Sequence, residues 1–385
     1  MAKRSLKGCG CAIAVLVVVL AAAGVVGWKY VLPWWKLKPP PPSGGELRVH
    51  VLDVGPVEGD SILIISPGGK SVLIDAGDTG KGKVIIEALK RYNVQQLDYF
   101  VATHPHPDHI GGADEVFKAT KVLNVIDNGQ GPDVPQSLTA QSKPAPSGKE
   151  PANRKPVNRK LDKLAAVTKY YDEYKEAIAQ SGAHYEKAQP GAKYDLGGGA
   201  RLTVLAPTEP LFTKDQVKSG GNLPNANSIV LRLDYGDFSL LLPGDAEEQT
   251  EHRMLTKDLN LKVKILKVAH HGSKYATAQD FVDRAKPEVA IISCGEWNRY
   301  GHPSQAVLDR LLAANTKLYR TDLQGEITIT TRGKLIGEKL YEIKTAKEAK
   351  SDVWAGRPPQ KDDSSRSGFI AYGDFGPPPK QKTVK

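Results

Sequence analysis

The chain has 385 residues, of which 40% are hydrophobic and 25% are charged, and its formal net charge is +10. This length and composition are those of one large or two ordinary folded domains, and they exclude a wholly disordered chain. The positive charge lies mostly at the two ends, because residues 1–38 hold six basic and no acidic residues and residues 346–385 hold eight basic and five acidic ones. The net charge is therefore no argument for a nucleic acid bound along the body of the chain.

Residues 1–37 predict a membrane anchor. Three basic residues precede an uncharged run at 9–28, which is long enough to cross a bilayer as one helix. Aromatic and basic residues follow at 28–36, as at a membrane interface, and the positive flank predicts a single-pass protein with its remainder outside the cytoplasm. The alternative is a signal peptide cleaved near the alanines at 21–23, with a secreted product.

Composition divides the rest of the chain into a linker, a folded domain and a tail. Residues 38–45 (KPPPPSGG) predict a linker that is stiff and then flexible. The folded domain is expected at 46–345, and the Pro-, Gly- and Ser-containing segment 346–385 is expected to be a disordered tail. Within the domain, residues 130–195 are interpreted as an insertion, because they begin with a long aperiodic loop that a polar helix follows.

Short β-rich runs alternate with helical patterns throughout the folded domain. Strands are predicted at 47–53, 61–65, 71–74, 97–102, 122–126, 202–205, 228–233, 239–242, 263–268, 289–292 and 317–320, with a terminal hairpin around 331–334. Helices are predicted at 83–92, 159–181, 278–285 and 304–313, and another begins at 247. Because each β-rich half carries helices, we expect an α/β (α+β) fold built as an αββα sandwich.

Three histidines and one aspartate fall within six positions at the end of a predicted apolar strand: His104, His106, Asp108 and His109. Neutral imidazole and carboxylate are suitable ligands for Zn²⁺, Mn²⁺ or iron. The strand end gives these short side chains a rigid base. The pattern predicts a divalent-metal site, and the alternative is a surface loop that happens to be rich in histidine.

This cluster resembles the HxHxDH signature of the metallo-β-lactamase superfamily. More narrowly, residues 47–340 resemble the stand-alone hydrolase domain of ComEC-type competence proteins. The segments that carry the resemblance, in order, are LRVHVLDVG, GDSILIISPGGKSVLIDAG, NANSIVLRLDYGDFSLLLPGD, ILKVAHHGS, YGHPSQAVLDRL and RTDLQGEITI. The resemblance implies a hydrolase that uses one or two divalent ions, Zn²⁺ or Mn²⁺, to activate water.

The resemblance also implies a role for each matching residue. The expected metal ligands are His104, His106, Asp108, His109, Asp245 and His270. Asp245 matches a carboxylate that bridges two ions, although on its own it would be interpreted as a helix N-cap. His270 is expected to be the last histidine ligand, and its neighbour His271 is expected to face the substrate.

Further residues are expected to act on the substrate or to support the ligands. Asp108 is expected to orient the nucleophile, and His271 and His302 are expected to donate protons or hydrogen bonds to the substrate. Asn227, Ser228 and Ser273 are expected to contact the substrate, and Asn227-Ser228 stands where many superfamily members place another histidine. Asp75 and Asp60 are expected to hydrogen-bond the ligands. The family's VGQGDS reads VGPVEGDS at 54–61, and its two extra residues are expected to loosen the turn around Asp60.

The function implied by the resemblance is a phosphodiesterase, and specifically a nuclease that acts on DNA outside the cytoplasmic membrane. One alternative keeps the metal hydrolase and changes its substrate to a small phosphodiester, a cell-wall or choline-phosphate ester, or a lactone. The basic segment 130–195 would then distinguish the substrates. The other alternative is a membrane-tethered metal-binding module without turnover. The implied partners are the membrane and DNA.

Overall fold

The computed structural model describes residues 45–133, 159–217 and 222–357, without the side chains of 159–167. The predicted anchor, nearly all of the linker, most of the aperiodic loop and most of the tail lie outside these residues. The anchor therefore remains a prediction. Among the described helices, none is both long and apolar enough to cross a membrane.

The first of two sheets positions one half of the site. Its strands are β1 Leu47–Val51, β2 Ile62–Ile65, β3 Ser71–Ile74, β4 Gln96–Val101, β5 Lys121–Asp127, β6 His184–Lys187, β14 Ile327–Ile336 and β15 Lys339–Thr345. Their order across the sheet is β15-β14-β1-β2-β3-β4-β5-β6. Strands β3 to β6 run parallel to one another. Their carboxyl ends therefore share one edge, and there Asp75 follows β3 and the histidine cluster follows β4.

The second sheet positions the other half. Its strands are β7 Lys193–Gly197, β8 Ala200–Ala206, β9 Val230–Tyr235, β10 Phe238–Leu242, β11 Ile265–Lys267, β12 Val289–Ile292 and β13 Lys317–Arg320. Their order is β13-β12-β11-β10-β9-β8-β7, and β10 to β13 are parallel. Asp245 follows β10 and His270 follows β11, so these residues share a carboxyl edge of the second sheet.

Helices cover the outer face of each sheet. On the first sheet they are α1 Gly82–Arg91, α2 Pro107–Ile110, α3 Ala113–Ala119 and α4 Arg159–Ser181. On the second sheet they are α6 Glu248–Thr256, α7 Gln279–Ala285 and α8 Gln305–Ala313. The short helices α5 Leu223–Ala226 and α9 Thr321–Gln324 lie in loops after strands, and residues Ala269–Gly272 form a 3-10 turn after β11.

Alternation along the strands divides the core into layers. In β3, Val72 and Ile74 belong to the core between the sheets, whereas Leu73 belongs to the core beneath the helices. Phe100 of β4 packs in that outer core against Tyr174 of α4. Because side chains alternate between the faces of a strand, each sheet buries both of its faces. The predicted αββα sandwich is confirmed.

One strand and the start of another lie in the segment that the sequence interprets as an insertion. β6 pairs with β5 at the edge of the first sheet, and β7 pairs with β8 at the edge of the second. The segment 130–195 is therefore partly a component of the sandwich. Both strands are short and polar, as edge strands commonly are, which is why the hydrophobic pattern did not predict them.

The end of the described chain also differs from its prediction. β14 continues through the expected turn at 331–334 with an irregularity in register, and the hairpin turns at Gly337 instead. Beyond the hairpin, Trp354 packs on an outer core and the Arg357 guanidinium donates to the Asp322 carboxylate at 2.6 Å. The first part of the predicted tail is thus bound to the domain, and residues 358–385 lie outside the described chain.

Candidate metal centre

The loop after β4 places three histidines at the carboxyl edge of the first sheet. His106 is extended, and the α2 helix that begins at Pro107 turns His109 back towards the strand end. His104, His106 and His109 are all buried. Burial lowers the pKa of both His104 and His106, and neighbouring histidines lower that of His104 further. Neutral imidazole, the form that binds a cation, is therefore favoured at His104 and His106.

Two ligand clusters meet at Asp245. One comprises His104, His106 and Asp245, and the other comprises Asp108, His109, Asp245 and His271, with one ligand atom of each residue within 4.8 Å of the others. The Asp245 Oδ2 atom lies 3.7 Å from His104 Nε2, and its Oδ1 atom lies 3.2 Å from His109 Nε2. One carboxylate thus faces both clusters.

Several buried atoms of these clusters have no hydrogen-bond partner among the described residues. They include His109 Nε2, His271 Nε2 and Asp245 Oδ1. A buried polar atom left without a partner costs free energy, so such atoms indicate a missing ligand. Imidazole nitrogens with carboxylate oxygens suit Zn²⁺ or Mn²⁺. The residues therefore fit one or two divalent cations.

The charges around His109 support the same fit. Burial lowers the pKa of His109, but the carboxylates of Asp245, Asp75 and Asp108 outweigh it, so the pKa lies well above its usual value. Burial also lowers the pKa of His271, but the Asp245 and Asp60 carboxylates outweigh it, so this pKa too lies well above its usual value. The surroundings thus favour positive charge, which a divalent cation supplies.

Asp75 supports the second cluster from behind, as the sequence predicts. Its carboxylate accepts hydrogen bonds from the Thr103 backbone N–H at 2.7 Å and from the Thr103 hydroxyl at 2.8 Å. The His109 Nδ1–H group donates to the same carboxylate at 2.8 Å. This bond leaves Nε2 of His109 as the nitrogen that faces the cluster, an arrangement typical of metal-binding histidines.

The order of His270 and His271 differs from the sequence-based assignment. His271 donates from Nδ1 to the Ser293 carbonyl at 2.9 Å, and its Nε2 atom lies 3.5 Å from Asp108 and 3.6 Å from Asp245. The His270 side chain is 20% exposed and is in neither cluster. Both residues have positive φ, 48° and 53°, and this left-handed turn directs the second ring inward. The geometry therefore assigns the ligand position to His271, and His270 faces the cleft.

Asp60 is held firmly, contrary to the expected loosening of its turn. Its backbone N–H donates to the Asp108 carbonyl at 3.1 Å, and the Ser293 hydroxyl donates to the Gly59 carbonyl at 3.0 Å. The buried Asp60 carboxylate pairs with the Lys267 ammonium, and its Oδ1 atom lies 3.4 Å from His271 Nδ1. The extra residues therefore pack against the segment after β12 and do not disturb Asp60.

The three predicted substrate contacts have different positions. Asn227 is fully buried, and its amide exchanges hydrogen bonds with the Phe212 backbone at 2.9 and 3.0 Å. The Ser228 hydroxyl, also fully buried, accepts from the Asp245 backbone N–H at 3.2 Å. These two residues therefore position a loop and a ligand, which corrects their predicted role, whereas Ser273 lines the cleft.

The clusters open into a cleft of about 80 Å³, and His302 lines it as predicted. Its lining also includes residues that the sequence interpretation missed: Glu58, Asn222 and Asn225. Glu247, where a helix was predicted to begin, is also buried in this lining. The Asn222 amide lies 2.9 Å from His106 Nε2 and orients that ring. The available signal was the matched segment that begins NANS, because Asn225 is its first residue and Asn222 stands three positions before it.

The fold and the ligand clusters define a class of metal-dependent hydrolases. The profile of the metallo-beta-lactamase superfamily matches residues 54–208. This match covers β2 to β8 together with the histidine cluster. Residues 54–208 are therefore similar to the metallo-β-lactamase superfamily, as the histidine cluster predicts.

Within this class, the chain is similar to bacterial proteins that include one named for recombination and one named for competence. It is 29% identical over 305 residues to ComE operon protein 3 of Bacillus subtilis, and this alignment covers 74% of this chain and 33% of that protein. It is 26% identical over 287 residues to Recombination protein 2 of Haemophilus influenzae, covering 73% and 28%. It is 26% identical over 311 residues to Competence protein ComA of Neisseria gonorrhoeae, covering 80% and 34%. The chain spans about a third of the length of these relatives, and its expected ComEC-like character is confirmed.

Proposed function

We propose that this metallo-hydrolase cleaves phosphodiester bonds and that its substrate is DNA. The observation that carries the proposal is the Asp245 carboxylate, which is shared by two ligand clusters at the base of an open cleft. Divalent cations bound there supply a Lewis acid for the phosphoryl oxygens and lower the pKa of water. The similarity to proteins named for competence and recombination supports DNA as the substrate.

Asp108 is the residue that orients the attacking water. Its side chain is 22% exposed towards the cleft. Burial raises the pKa of Asp108, but the neighbouring His109 and His271 outweigh burial and lower it to about 2. The carboxylate is therefore ionised at neutral pH and accepts a hydrogen bond from the water. This hydrogen bond directs a lone pair of the water oxygen towards the phosphorus. The Asp108 carboxylate then receives the proton of the water as the new P–O bond forms.

The charge of the cleft makes polyanion binding dependent on metal. Asp108, Asp245 and Glu247 all line it. Without a cation, these carboxylates repel a phosphodiester backbone, and bound divalent ions reverse the sign of that field. We therefore expect divalent metal to be required for DNA binding as well as for turnover.

The test uses the full chain purified in detergent, with linear DNA and bis-p-nitrophenyl phosphate as substrates and Mn²⁺ or Zn²⁺ added. We expect the wild-type chain to hydrolyse both substrates and Asp108→Ala to lose both activities. The matched control Asp114→Ala removes a carboxylate on α3 that pairs with the surface Lys118 and belongs to neither ligand cluster, and it should keep both activities. Hydrolysis of the small ester with intact DNA supports the small-phosphodiester alternative. Bound metal without any turnover supports the non-catalytic module.

We also propose that residues 1–37 tether this domain to the outer face of the cytoplasmic membrane, with secretion after cleavage as the alternative. The support is the uncharged run 9–28 with its basic flank. Alkaline extraction of membranes separates the two cases. An anchored chain stays in the pellet at its full mass, whereas a cleaved one is released and lacks its first residues.

A further inference from the structure

The hairpin between β14 and β15 ends in two adjacent apolar side chains that face solvent. Leu335 is 64% exposed, more than any other large hydrophobic residue among those described, and its neighbour Ile336 is 56% exposed. The base of the hairpin is fixed, because the Thr331 hydroxyl accepts from the Gly333 backbone N–H at 3.0 Å and donates to the Leu340 carbonyl at 2.7 Å. The hairpin therefore presents an apolar tip on a firm support.

Basic residues flank this apolar pair on both strands. Residues 332–339 read RGKLIGEK, with the three basic residues Arg332, Lys334 and Lys339 and the single acid Glu338. All four charged side chains are exposed. Apolar side chains that enter the headgroup region, surrounded by basic residues that contact lipid phosphates, are typical of a contact with an anionic bilayer surface.

The chain enters the domain beside the base of this hairpin. Around the turn between β9 and β10, the Tyr235 hydroxyl donates to the Gly45 carbonyl at 2.7 Å. The Asp237 backbone N–H in the same turn donates to the Gly333 carbonyl at 2.8 Å. The linker at 38–45 spans at most roughly 28 Å when fully extended. The proposed anchor would therefore bring the hairpin within reach of the bilayer.

The hairpin and the metal clusters lie at opposite edges of the first sheet. β1 and β3 are both antiparallel to β2, so they run in the same direction. Leu47 at the start of β1 therefore lies at the amino edge, whereas Asp75 and the histidine cluster lie at the carboxyl edge. Thr331 pairs with Leu47, and β14 continues past this pair to the tip. The tip thus projects from the amino edge, away from the cleft.

We propose that this hairpin tip docks on the anionic lipid surface of the membrane, an inference that rests on the proposed tether and not on the proposed hydrolysis. Leu335 and Ile336 enter the headgroup region, and the three basic side chains contact lipid phosphates. A contact of this size is weak alone, but the tether makes it intramolecular and raises its effective concentration. Docking holds the domain in one orientation, with the metal cleft facing away from the lipid and open to substrate from solution.

Photocrosslinking of the full chain in vesicles tests the docking. The photoreactive residue p-benzoylphenylalanine replaces Leu335, and mass spectrometry measures the lipid adduct after irradiation. Vesicles contain equal parts of phosphatidylglycerol and phosphatidylcholine, or phosphatidylcholine alone. The matched control carries the same group in place of Tyr275, which is 57% exposed and lines the cleft. We expect a lipid adduct at position 335 in the anionic vesicles and little adduct at position 275.

Charge reversal tests the electrostatic part of the contact. Lys334→Glu should lower the lipid adduct at position 335 by on the order of 10-fold, as should the omission of phosphatidylglycerol, because each basic residue near an anionic surface contributes about five-fold to binding. The same reversal at the exposed Lys83 on α1 is the control and should change nothing. Thermal unfolding shows whether the variants are folded, and the lipid comparison in the unreversed chain needs no charge variant.

Every other result overturns the inference in a recognisable way. Equal adducts at positions 335 and 275 indicate a domain without a fixed orientation, and an adduct with a second copy of the chain indicates a protein contact. Equal adducts in the two kinds of vesicle contradict the anionic lipid as partner. A chain that resists alkaline extraction but gives no adduct contradicts the docking alone, whereas one that is released without an adduct contradicts the tether as well. Neither readout needs turnover, so a failure of the proposed hydrolysis is recognised separately.

Discussion

The Lys267 ammonium and the Asp60 carboxylate form an ion pair that is wholly buried beneath the ligand clusters. Burial raises the pKa of Asp60, but Lys267 and His271 outweigh burial and hold it well below its usual range. The Asp60 carboxylate also lies beside Nδ1 of the ligand His271. The pair thus connects β11 of the second sheet to the loop after β1 of the first.

Removing one partner of this pair should destabilise the protein strongly. Lys267→Met leaves Asp60 buried without compensation, and we expect the free energy of unfolding to fall by about 3–5 kcal/mol. Urea unfolding of the full chain measures the change. Lys267→Met with Asp60→Asn should recover part of the loss, because no lone charge remains. The control is the same substitution at the exposed Lys83. A comparable loss of unfolding free energy in Lys83→Met would show that the loss in Lys267→Met does not come from breaking the buried ion pair.

Glu251 on α6 predicts a dependence of stability on pH. Burial raises the pKa of Glu251 from 4.5 to about 8, against the opposing backbone hydrogen bonds from Thr277 and Ala278. The folded state therefore holds this proton more tightly than the unfolded chain does. The stabilisation is complete below pH 4.5 and is lost as the pH rises towards 8, with a slope of roughly 1 kcal/mol per pH unit.

The comparison of wild type with Glu251→Gln isolates this contribution, since Gln cannot titrate. The difference between their free energies of unfolding should decrease steadily from pH 5 to pH 8. Urea unfolding at several pH values provides it. Parallel curves for the two proteins would show that Glu251 has an ordinary pKa in the folded state.

The exchange of His270 and His271 predicts opposite results for two matched variants. Glycine is the suitable replacement, because both positions have positive φ and glycine adopts this conformation without strain. His271→Gly should lower metal affinity by more than the roughly 10–100-fold that loss of an outer hydrogen-bond partner causes. His270→Gly should keep the wild-type metal content. Metal analysis after dialysis decides between them, and the reverse pattern would restore the sequence-based assignment.

Asp75 should affect metal binding without being a ligand. Asp75→Asn weakens the bond that orients His109, and metal affinity should fall by about 10–100-fold. Competition with a fluorescent chelator measures the affinity. Asp114→Asn, which alters only a surface pair with Lys118, is the control. An unchanged affinity in Asp75→Asn would mean that His109 is oriented by the surrounding packing alone.

Periodicity predicted those parts of the fold that are local. The strand at 289–292 and the helix at 159–181 have the predicted bounds, because continuous apolar runs and helical spacing determine them. The edge strands β6 and β7 did not follow from this signal, because they are short and polar. The hairpin turn was misplaced because Gly333 interrupts β14 and does not end it.

The site was predictable where a motif lies in one segment and not where distant segments meet. The cluster His104–His109 and the carboxylate Asp245 converge as expected. The order of His270 and His271 depends on two successive left-handed residues other than glycine, a conformation that sequence rarely predicts. The buried position of Glu58 depends on a contact with His302, which is 244 positions away in sequence. Neither arrangement is visible in the local pattern.

The most direct test of metal-dependent hydrolysis is a metal titration of the full chain after treatment with a chelator, with hydrolysis of bis-p-nitrophenyl phosphate as the readout. We expect no hydrolysis without metal, a rise as Mn²⁺ or Zn²⁺ is added, and saturation once the sites that share Asp245 are filled. Asp245→Asn should fail to reach that rate at any metal concentration. Hydrolysis in the presence of excess chelator, or full metal binding without hydrolysis, would contradict a metal-dependent phosphodiesterase.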